Sequence, residues 1–377
     1  MTLVSLSAGA FCAIATLLHI ASIAVVVARA RRPLRPSAVL ERDEGISIVR
    51  PLCGIENFSE ATLASSFHLA YRHYEILFCV AQPHDPVIPV VQRLIDSHPD
   101  VPARLLVGND RISDNPKLNN VVKGWNAASY AWIVMSDSNV LMPADYLQEL
   151  FGTWAADTGV VSSPAIGSRP EGFWAELECA FLNTYQARWQ CFADDIGMGF
   201  AQGKTMLYRR DLIEAAGGIR ALGSELAEDA ASTKIVRRQG LRVRVVNRPF
   251  DQPLGRRTAT EVWRRQIRWA RLRRDTFLPF FLPELLAGCF PPLAALTFLI
   301  ITNGWPLLFA LPAFVALWYG AEALLAVMAG WKVSRRSPFA WLMRDALLPV
   351  LWCASWLGNG FTWRDNPMRI ADRGSTA

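Results

Sequence analysis

The chain has 377 residues, of which 52% are apolar and 19% charged, with a mean hydropathy of +0.19 and a net charge of +6. It is too apolar for a water-soluble enzyme of this length and longer than one compact core needs, so membrane segments must accompany a domain of ordinary size. The basic charge is concentrated from Gly255 to Arg274, which holds eight Arg against one Glu. With no stacking platform or base-reading motif beside it, this pattern argues against a nucleic acid and for anionic lipid headgroups and a nucleotide diphosphate.

From Leu3 to Ala28 no Asp, Glu, Lys or Arg interrupts an apolar run in which His19 is the side chain that titrates near neutrality. At ~1.5 Å per residue the run crosses a ~30 Å hydrocarbon core. A cleaved signal peptide would be shorter and open on basic residues, so the segment reads as an uncleaved anchor. Arg29, Arg31, Arg32 and Arg35 follow it and place the next part of the chain in the cytoplasm. Pro33 and Pro36 mark a short linker, so residues 1–36 form the anchor and its basic flank.

From Gly45 short β-rich runs alternate with helical stretches, an α/β pattern expected over residues 37–255. Ile46 to Arg50, Glu75 to Val80, Arg104 to Val107 and Ala131 to Ser136 predict buried parallel strands, being short, apolar and followed by turns or helices. Ligands of such sheets bind beyond the strand ends. Asp85 and Asp137 both follow a strand closely, so their carboxylates are expected to meet at that edge. Pro143 predicts a helix at its first turn, Gly172 to Cys191 a long helix, and Gly240 to Asn247 a last strand. The seven scattered cysteines contain no C-x-x-C pair and read as reduced packing residues.

In residues 256–283, Trp263, Ile267 and Ala270 share one stripe of a helix expected from Glu261 to Leu278, with Arg264, Arg268 and Arg271 beside it. That is the pattern of an amphipathic helix lying in a membrane interface. In residues 284–377, Leu285 to Gly304 and Trp305 to Trp331 are each long enough to span, with Glu322 the charge within them. Two crossings bring Lys332, Arg335 and Arg336 back to the cytoplasm. Phe339 to Trp363 contains Arg344, Asp345 and Pro349; it either spans or dips and returns, and the second form keeps Arg364, Arg369 and Arg373 cytoplasmic. The whole reads as a multi-pass protein of a bacterial inner membrane with its α/β domain on the cytoplasmic side.

Four segments carry groups suited to moving a sugar from a nucleoside diphosphate, a reaction that must neutralise the diphosphate, hold the sugar and deprotonate an acceptor. Asp85 in H-D-P-V can accept hydrogen bonds from a base or ribose, although an Asp before Pro is also a common turn former. Asp137 in S-D-S-N can bind Mg²⁺ or Mn²⁺, with Asn139 standing where a D-x-D motif has its second acid. Glu228 and Asp229 in L-A-E-D-A-A-S open a helical stretch, where acids also favour the helix dipole; Asp229 is the candidate general base. Arg265, Arg268 and Trp269 form R-x-x-R-W, two guanidiniums on one face able to clamp a diphosphate beside a bracing indole.

Taken in series, these segments resemble the processive-type GT-A glycosyltransferases with the signature D, D, D, (Q/R)-x-x-R-W, and among them the ceramide glucosyltransferases. The likeness extends to R-P-L-C-G-I-E-N from Arg50, N-P-K-L-N-N from Asn115, E-L-A-E-D from Glu225 and I-R-W-A-R-L-R from Ile267. It implies a GT-A, Rossmann-like nucleotide-sugar-binding domain that performs one inverting transfer from a UDP-sugar to a membrane lipid. Carried over, Asp85 contacts the nucleotide, Asp137 the metal and diphosphate, and Asp229 takes the acceptor's proton. Arg265, Arg268 and Trp269 then close over the diphosphate, Lys117 and Asn119 line the donor pocket, Glu228 touches the donor sugar, and Gly203 lets backbone approach a ligand. Gln186 stands near a His of animal members, on the acceptor side. Glucose and galactose both remain open as the sugar; ceramide, diacylglycerol and hopanoid remain open as acceptors. Four hydrophobic segments leave little room for the channel of a polysaccharide synthase, and the intact acids with R-x-x-R-W argue against an inactive lipid-binding scaffold.

Overall fold

A computed structural model of the chain describes residues 2–33, 43–363 and 366–369; Arg35, Pro36, Arg364 and Arg373 lie outside the described residues. The four expected runs form β1 (Ile46–Leu52), β2 (Tyr74–Val80), β3 (Ala103–Val107) and β4 (Trp132–Ser136), parallel and in the spatial order β3-β2-β1-β4. Alternate residues enter opposite cores. Ile48, Phe78 and Val134 pack with Leu147 and Phe151 on one face, while Val49, Leu77 and Ile133 pack beneath Val121 and Trp125 on the other. Burial of both faces is why these strands read as nearly unbroken apolar runs.

The sheet continues through two strands that the sequence did not announce and one that it did. β5 (Thr158–Ser163) and β7 (Thr205–Arg209) pair antiparallel, β7 also runs antiparallel to β4, and β8 (Arg242–Val245) closes a seven-stranded sheet beside β5. β6 (Ala165–Glu171) and β9 (Phe250–Arg256) form a separate parallel pair. The strand expected from Gly240 to Asn247 is the shorter β8. Because β7 is antiparallel, the residues preceding it, Gly203 and Lys204, arrive at the edge where the parallel strands end.

The long helix expected from Gly172 is Phe173–Ala180 and Arg188–Asp195, joined by a π-helical turn at Phe181–Ala187. Pro143 opens a turn rather than a helix: the Tyr146 N–H donates to its carbonyl, and the helix is Tyr146–Thr153. The basic helix is Ala259–Thr276, begun by a capping box between Thr258 and Glu261. Its buried residues are Val262, Gln266, Ile267 and Ala270; Val262 and Ile267 pack with Leu177, Phe181, Leu348 and Leu351 of neighbouring helices, while Trp263 stays 38% exposed. The apolar stripe thus serves the protein's own packing, turned by about one position from the stripe expected.

Leu3–Ala30 and Leu307–Met328 are each long and apolar enough to cross a membrane. The crossing expected from Leu285 to Gly304 is broken: Leu278–Leu286 and Phe290–Asn303 meet at 44°, and would add a third crossing only if counted as one span. The break lies at Gly288, whose φ of 85° suits glycine. There Asp345 accepts the Cys289 N–H at 2.9 Å, and a Cβ on Gly288 would lie 2.9 Å from Asp345 Cγ.

Asp345 and Arg344 sit in Ser337–Trp356, which packs on Phe173–Ala180 and on the basic helix. Arg344 donates to both Glu322 oxygens at 2.8 and 2.9 Å, to Asp345 Oδ1 at 2.8 Å and to Thr184 Oγ1 at 2.8 Å. Arg188 lies 3.9 Å from Glu322 and donates to His19 Nδ1 at 2.8 Å, leaving the imidazole proton on Nε2, 3.1 Å from the Trp318 carbonyl. Two guanidiniums and two carboxylates therefore neutralise one another among apolar helices. The anchor is fixed at its end as well, by buried Arg29 at 2.8 Å from Asp194 and Arg32 at 3.1 Å from Asp195.

Removing one carboxylate from this cluster leaves a guanidinium uncompensated, a loss of about 3–5 kcal/mol for a buried pair. Glu322→Ala is therefore expected to lower the unfolding temperature in detergent sharply, while Arg335→Ala, at an exposed position, leaves it within about 1 °C of the parent.

Candidate active site

The N-P-K-L-N-N segment builds the centre of the site. Asn115 caps Pro116–Ala127, accepting from the N–H groups of Lys117 and Leu118 at 2.9 and 3.1 Å, and Pro116 supplies the first helical residue. That fixes the direction of Lys117, whose ammonium lies 2.7 Å from Asp137 Oδ1, 2.7 Å from Glu228 Oε1 and 2.5 Å from the Gly203 carbonyl. Asn115 Nδ2 donates to the second Glu228 oxygen at 2.7 Å. Asn120 donates to the carbonyls of Leu52 and Cys79 at 3.1 and 2.8 Å, tying the helix to the ends of β1 and β2.

Asp137 follows β4 directly. Its other oxygen lies 2.9 Å from the Lys204 ammonium, and its N–H donates to the Lys204 carbonyl at 3.0 Å. Fully buried Arg50 shapes the turn, one nitrogen reaching the carbonyls of Asp137, Ser138 and Val140 at 2.9 to 3.0 Å. Burial alone would raise the Asp137 carboxyl, but Lys117 and Lys204 outweigh it and hold the group well below the usual carboxylate range. Burial likewise disfavours the Lys117 ammonium, and Asp137 and Glu228 more than compensate.

Glu228 and Asp229 open the helix Glu228–Arg238, as the acid-rich first turn predicts. Asp229 accepts the Gly203 N–H at 2.9 Å and the Ala230 N–H at 2.7 Å. Burial first, and the Glu228 charge second, push its carboxyl up to about 6 against the opposing pull of Lys117 and these two N–H groups. One site thus holds an acid kept ionised and another poised near neutrality. Gly203 sits between them, and a Cβ there would lie 2.8 Å from Glu228 Oε1 and 3.0 Å from Lys117 Nζ.

Asp85 stands at the same sheet edge, but its carboxylate does not meet that of Asp137. β1 lies between β2 and β4, a separation of two strand spacings or about 10 Å. Asp85 instead accepts the Gly54 N–H on both oxygens at 3.0 and 2.9 Å, and the Val87 N–H at 2.9 Å. The gap is bridged by the loop after β1: Glu56 accepts from Asn139 Nδ2 at 3.1 Å, and Asn57 donates to the carbonyls of Leu254 and Arg256 in β9 at 2.9 and 3.1 Å. Asn119 turns inward, accepting from the N–H groups of Ile112 and Ser113 at 2.9 and 3.0 Å, so it shapes the loop before Lys117.

On the basic helix, Arg265 pairs with Glu178, which Arg257 also approaches at 3.3 Å. Trp269 packs on Ala165, Cys179, Leu182 and Leu254, with the Arg265 guanidinium 5.8 Å from its ring centre. Arg268 is partly exposed on this helix. Gln186 lies apart from the acids and donates to Gln266 Oε1 at 3.2 Å. Lys204, Arg50, Asn115 and Asn120 are contributors that sequence reasoning gave no role. All but Lys204 fall in the motifs quoted from Arg50 and Asn115, which is the signal that marks them.

The sequence profile of the family "Glycosyl transferase family 21" matches residues 8–376. Ceramide glucosyltransferase 1 of Caenorhabditis elegans is 25% identical over 98% of this chain and 80% of its own length. The ceramide glucosyltransferase of Komagataella phaffii is 28% identical over 87% of this chain and 82% of its own. Among solved structures, a mannosyltransferase from Pyrobaculum calidifontis in complex with GDP-Man and Mn²⁺ shares the fold at a TM-score of 0.50 and 18% identity, over 91% of this chain and 99% of that one. The expected GT-A-type α/β architecture is thereby borne out.

The close approach at Gly203 gives a direct test. Gly203→Ala forces the Glu228 and Lys117 side chains to shift, and misplacement of about 1 Å in a catalytic constellation costs on the order of 10²-fold in rate. Turnover is expected to fall by that order while the thermal transition of the purified variant stays near that of the parent.

Proposed function

Because the chain belongs to glycosyl transferase family 21, we propose that it transfers glucose from UDP-glucose to the primary hydroxyl of ceramide, inverting the anomeric centre. The observation that carries this reading is the pairing, at one sheet edge, of an Asp137 held ionised by two ammonium groups with an Asp229 pushed up to about 6. Relatives named ceramide glucosyltransferases, similar over most of the chain, support the donor and acceptor.

In this reading Asp229 removes the proton of the acceptor hydroxyl as that oxygen bonds to the anomeric carbon. The bond from that carbon to the diphosphate breaks on the opposite side, and UDP leaves with its electrons. One displacement gives inversion. Lys117 and Lys204, with Arg265 and Arg268 from the basic helix, offset the charge on the diphosphate; Asp85 holds the nucleoside and Glu228 the sugar. Among the described residues no group of three or more His, Cys, Asp or Glu could hold a metal ion unaided. Asp137 is the residue that would hold an Mg²⁺ or Mn²⁺ ion, its carboxylate kept ionised although Lys117 and Lys204 now occupy both of its oxygens. When bound, such an ion adds positive charge at the leaving group.

The same reading makes residues 1–36 an anchor, 37–255 the transferring domain on the cytoplasmic side of a bacterial inner membrane, 256–283 the segment that brings R-x-x-R-W to it, and 284–377 a multi-pass return to the bilayer. A lipid hydroxyl then meets the base at headgroup depth.

Purified chain given UDP-glucose and ceramide is expected to yield hexosylceramide by mass spectrometry. A product formed only with diacylglycerol, a hopanoid or UDP-galactose overturns the assignment of acceptor or donor. Asp229→Asn is expected to slow transfer by about 10²–10⁴-fold.

The base must be ionised, so kcat/KM is expected to fall as pH drops through about 6. Glu228→Gln removes a charge that raises the base and should move this limb to lower pH, whereas Lys117→Met removes one that lowers it and should move the limb upward. An unmoved limb in both variants would assign the proton transfer to another group. Calorimetric titration of Mn²⁺ should show tight binding with UDP present and little without it, and Asp137→Asn should abolish the difference.

A further inference from the structure

The apolar helices carry their own depth scale. The Arg31 guanidinium reaches the Met328 sulfur at 3.9 Å, the His19 ring stacks on Trp318 at 3.8 Å, and a Cβ on Gly9 would lie 3.8 Å from Leu299 Cδ1. Leu307–Met328 therefore runs parallel to the anchor and ends at the anchor's basic end, where Arg29 is tied to the α/β domain, whereas Phe290–Asn303 starts near that end and runs away from it. On this scale Ser337–Trp356, about 30 Å long at ~1.5 Å per residue, stays near the domain throughout. At its start Ser337 Oγ donates to Glu176 Oε2 at 3.4 Å. In its middle Asp345 accepts the N–H of Cys289, where the outgoing helix begins, at 2.9 Å. Beyond its far end Arg274 donates to the Ser355 carbonyl and Arg271 to that of Gly360, both from the basic helix. A crossing helix would hold its two ends on opposite sides, and this one has both on the side of the domain.

Its faces are inverted relative to those of a water-soluble helix. Arg344 and Asp345, its two charges, point into the protein, while Phe339, Leu342, Met343, Ala346, Val350 and Leu357 form an outward stripe at helical spacing, with Leu357 85% exposed. The segment 278–286 is joined to this helix: the Trp352 indole N–H donates to the Phe281 carbonyl at 3.2 Å, and Phe280, Leu282 and Leu286 are exposed as well. Exposed Lys332, Arg335 and Arg336 precede the stripe, cations suited to anionic headgroups. Two helices apolar enough to cross a membrane stand beside it, which sets lipid rather than a second chain against the stripe. We propose that Ser337–Trp356 does not cross the membrane but lies in the leaflet on the domain's side, its stripe on the acyl chains, and that with the segment 278–286 it forms a platform seating the domain on the bilayer. This rests on the bilayer reading of residues 284–377 and fixes the course of their last helix.

Thiol labelling of the full chain in sealed membrane vesicles tests this. Cys53, exposed after β1, reports the domain's side; Cys353 is exposed on the stripe; and Arg369→Cys places a probe at an exposed position beyond the helix. In vesicles with the domain outward, a charged maleimide should label Cys53 and the Arg369→Cys thiol without detergent. Burying the reagent's charge among acyl chains is costly, so the ratio of charged to uncharged maleimide rates at Cys353 should lie at least about 10-fold below that at Cys53. Labelling of the Arg369→Cys thiol only after detergent would mean that the helix crosses. Equal ratios at Cys353 and Cys53 would mean that the stripe faces water, and protection of Cys353 from both reagents would mean that protein covers it. Each of these overturns the proposal while leaving the other spans untouched. A chain that alkaline carbonate washes off the membrane sinks the bilayer reading itself. Because Cys353 is native, misfolding of the Arg369→Cys variant still leaves the stripe testable in the parent chain.

Discussion

The site depends on the position of one ammonium group. Lys117 is nearly buried, and it touches Asp137, Glu228 and the Gly203 carbonyl, segments 20, 111 and 86 residues away in the chain. Without it the Glu228 carboxylate would face the Asp137 turn and Asp229 with no cation between them, in surroundings that already disfavour charge. The neighbouring features serve to put that ammonium there. Asn115 and Pro116 set the first turn of its helix, Asn120 ties the helix to the ends of β1 and β2, and glycine at 203 admits the backbone. The contacts around them explain how Asp137 stays ionised while Asp229 is pushed toward neutrality: burial raises both, but the first has two cations beside it, and the second has a shared cation and a carboxylate neighbour.

The parallel half of the sheet was legible because strands covered on both faces leave an unmistakable apolar run, and Asp137 was legible because it ends such a run. Strand order was not. Nothing in the composition of β1, β2 and β4 says that β1 lies in the middle, and that order separates Asp85 from Asp137 and makes the Gly54–Asn57 loop the bridge between them. Lys204 was equally hidden, since it reaches the site only because β7 runs antiparallel, and five residues such as T-M-L-Y-R carry too little periodicity to reveal direction. Arg50, Asn115 and Asn120 were visible within motifs, but they act largely on backbone carbonyls and N–H groups, partners that sequence patterns do not name.

The charged residues in the last apolar stretch show the converse case. Arg344 and Asp345 stood out as misplaced in a hydrophobic segment, and the structure resolves the anomaly through Glu322 of the preceding helix, read from sequence as an isolated charge in a span. Each was conspicuous alone because its cost is high, and their mutual neutralisation required knowing which helix faces which. The apolar stripe of the basic helix illustrates a related point: a stripe reports that one face is buried, and here neighbours such as Leu177 and Leu348, far away in sequence, cover Val262 and Ile267.

The helical stretch 173–195 joins these two regions. Its Glu178 holds Arg257 and Arg265, and its Asn183 exchanges hydrogen bonds of 2.7 and 3.0 Å with the backbone of Gly167 in β6. Thr184 and Arg188 belong to the neutral cluster with Glu322, Arg344 and His19, and Asp194 holds the end of the anchor through Arg29. A single rod therefore contacts the arginine helix, the sheet pair beside the site, both apolar helices and the last helix. Because protein interiors transmit displacement rather than absorb it, the height of the R-x-x-R-W helix relative to the apolar helices is fixed by this rod. The buried cluster of Arg188, Glu322, Arg344 and Asp345 is the interaction that ties this rod to the apolar helices.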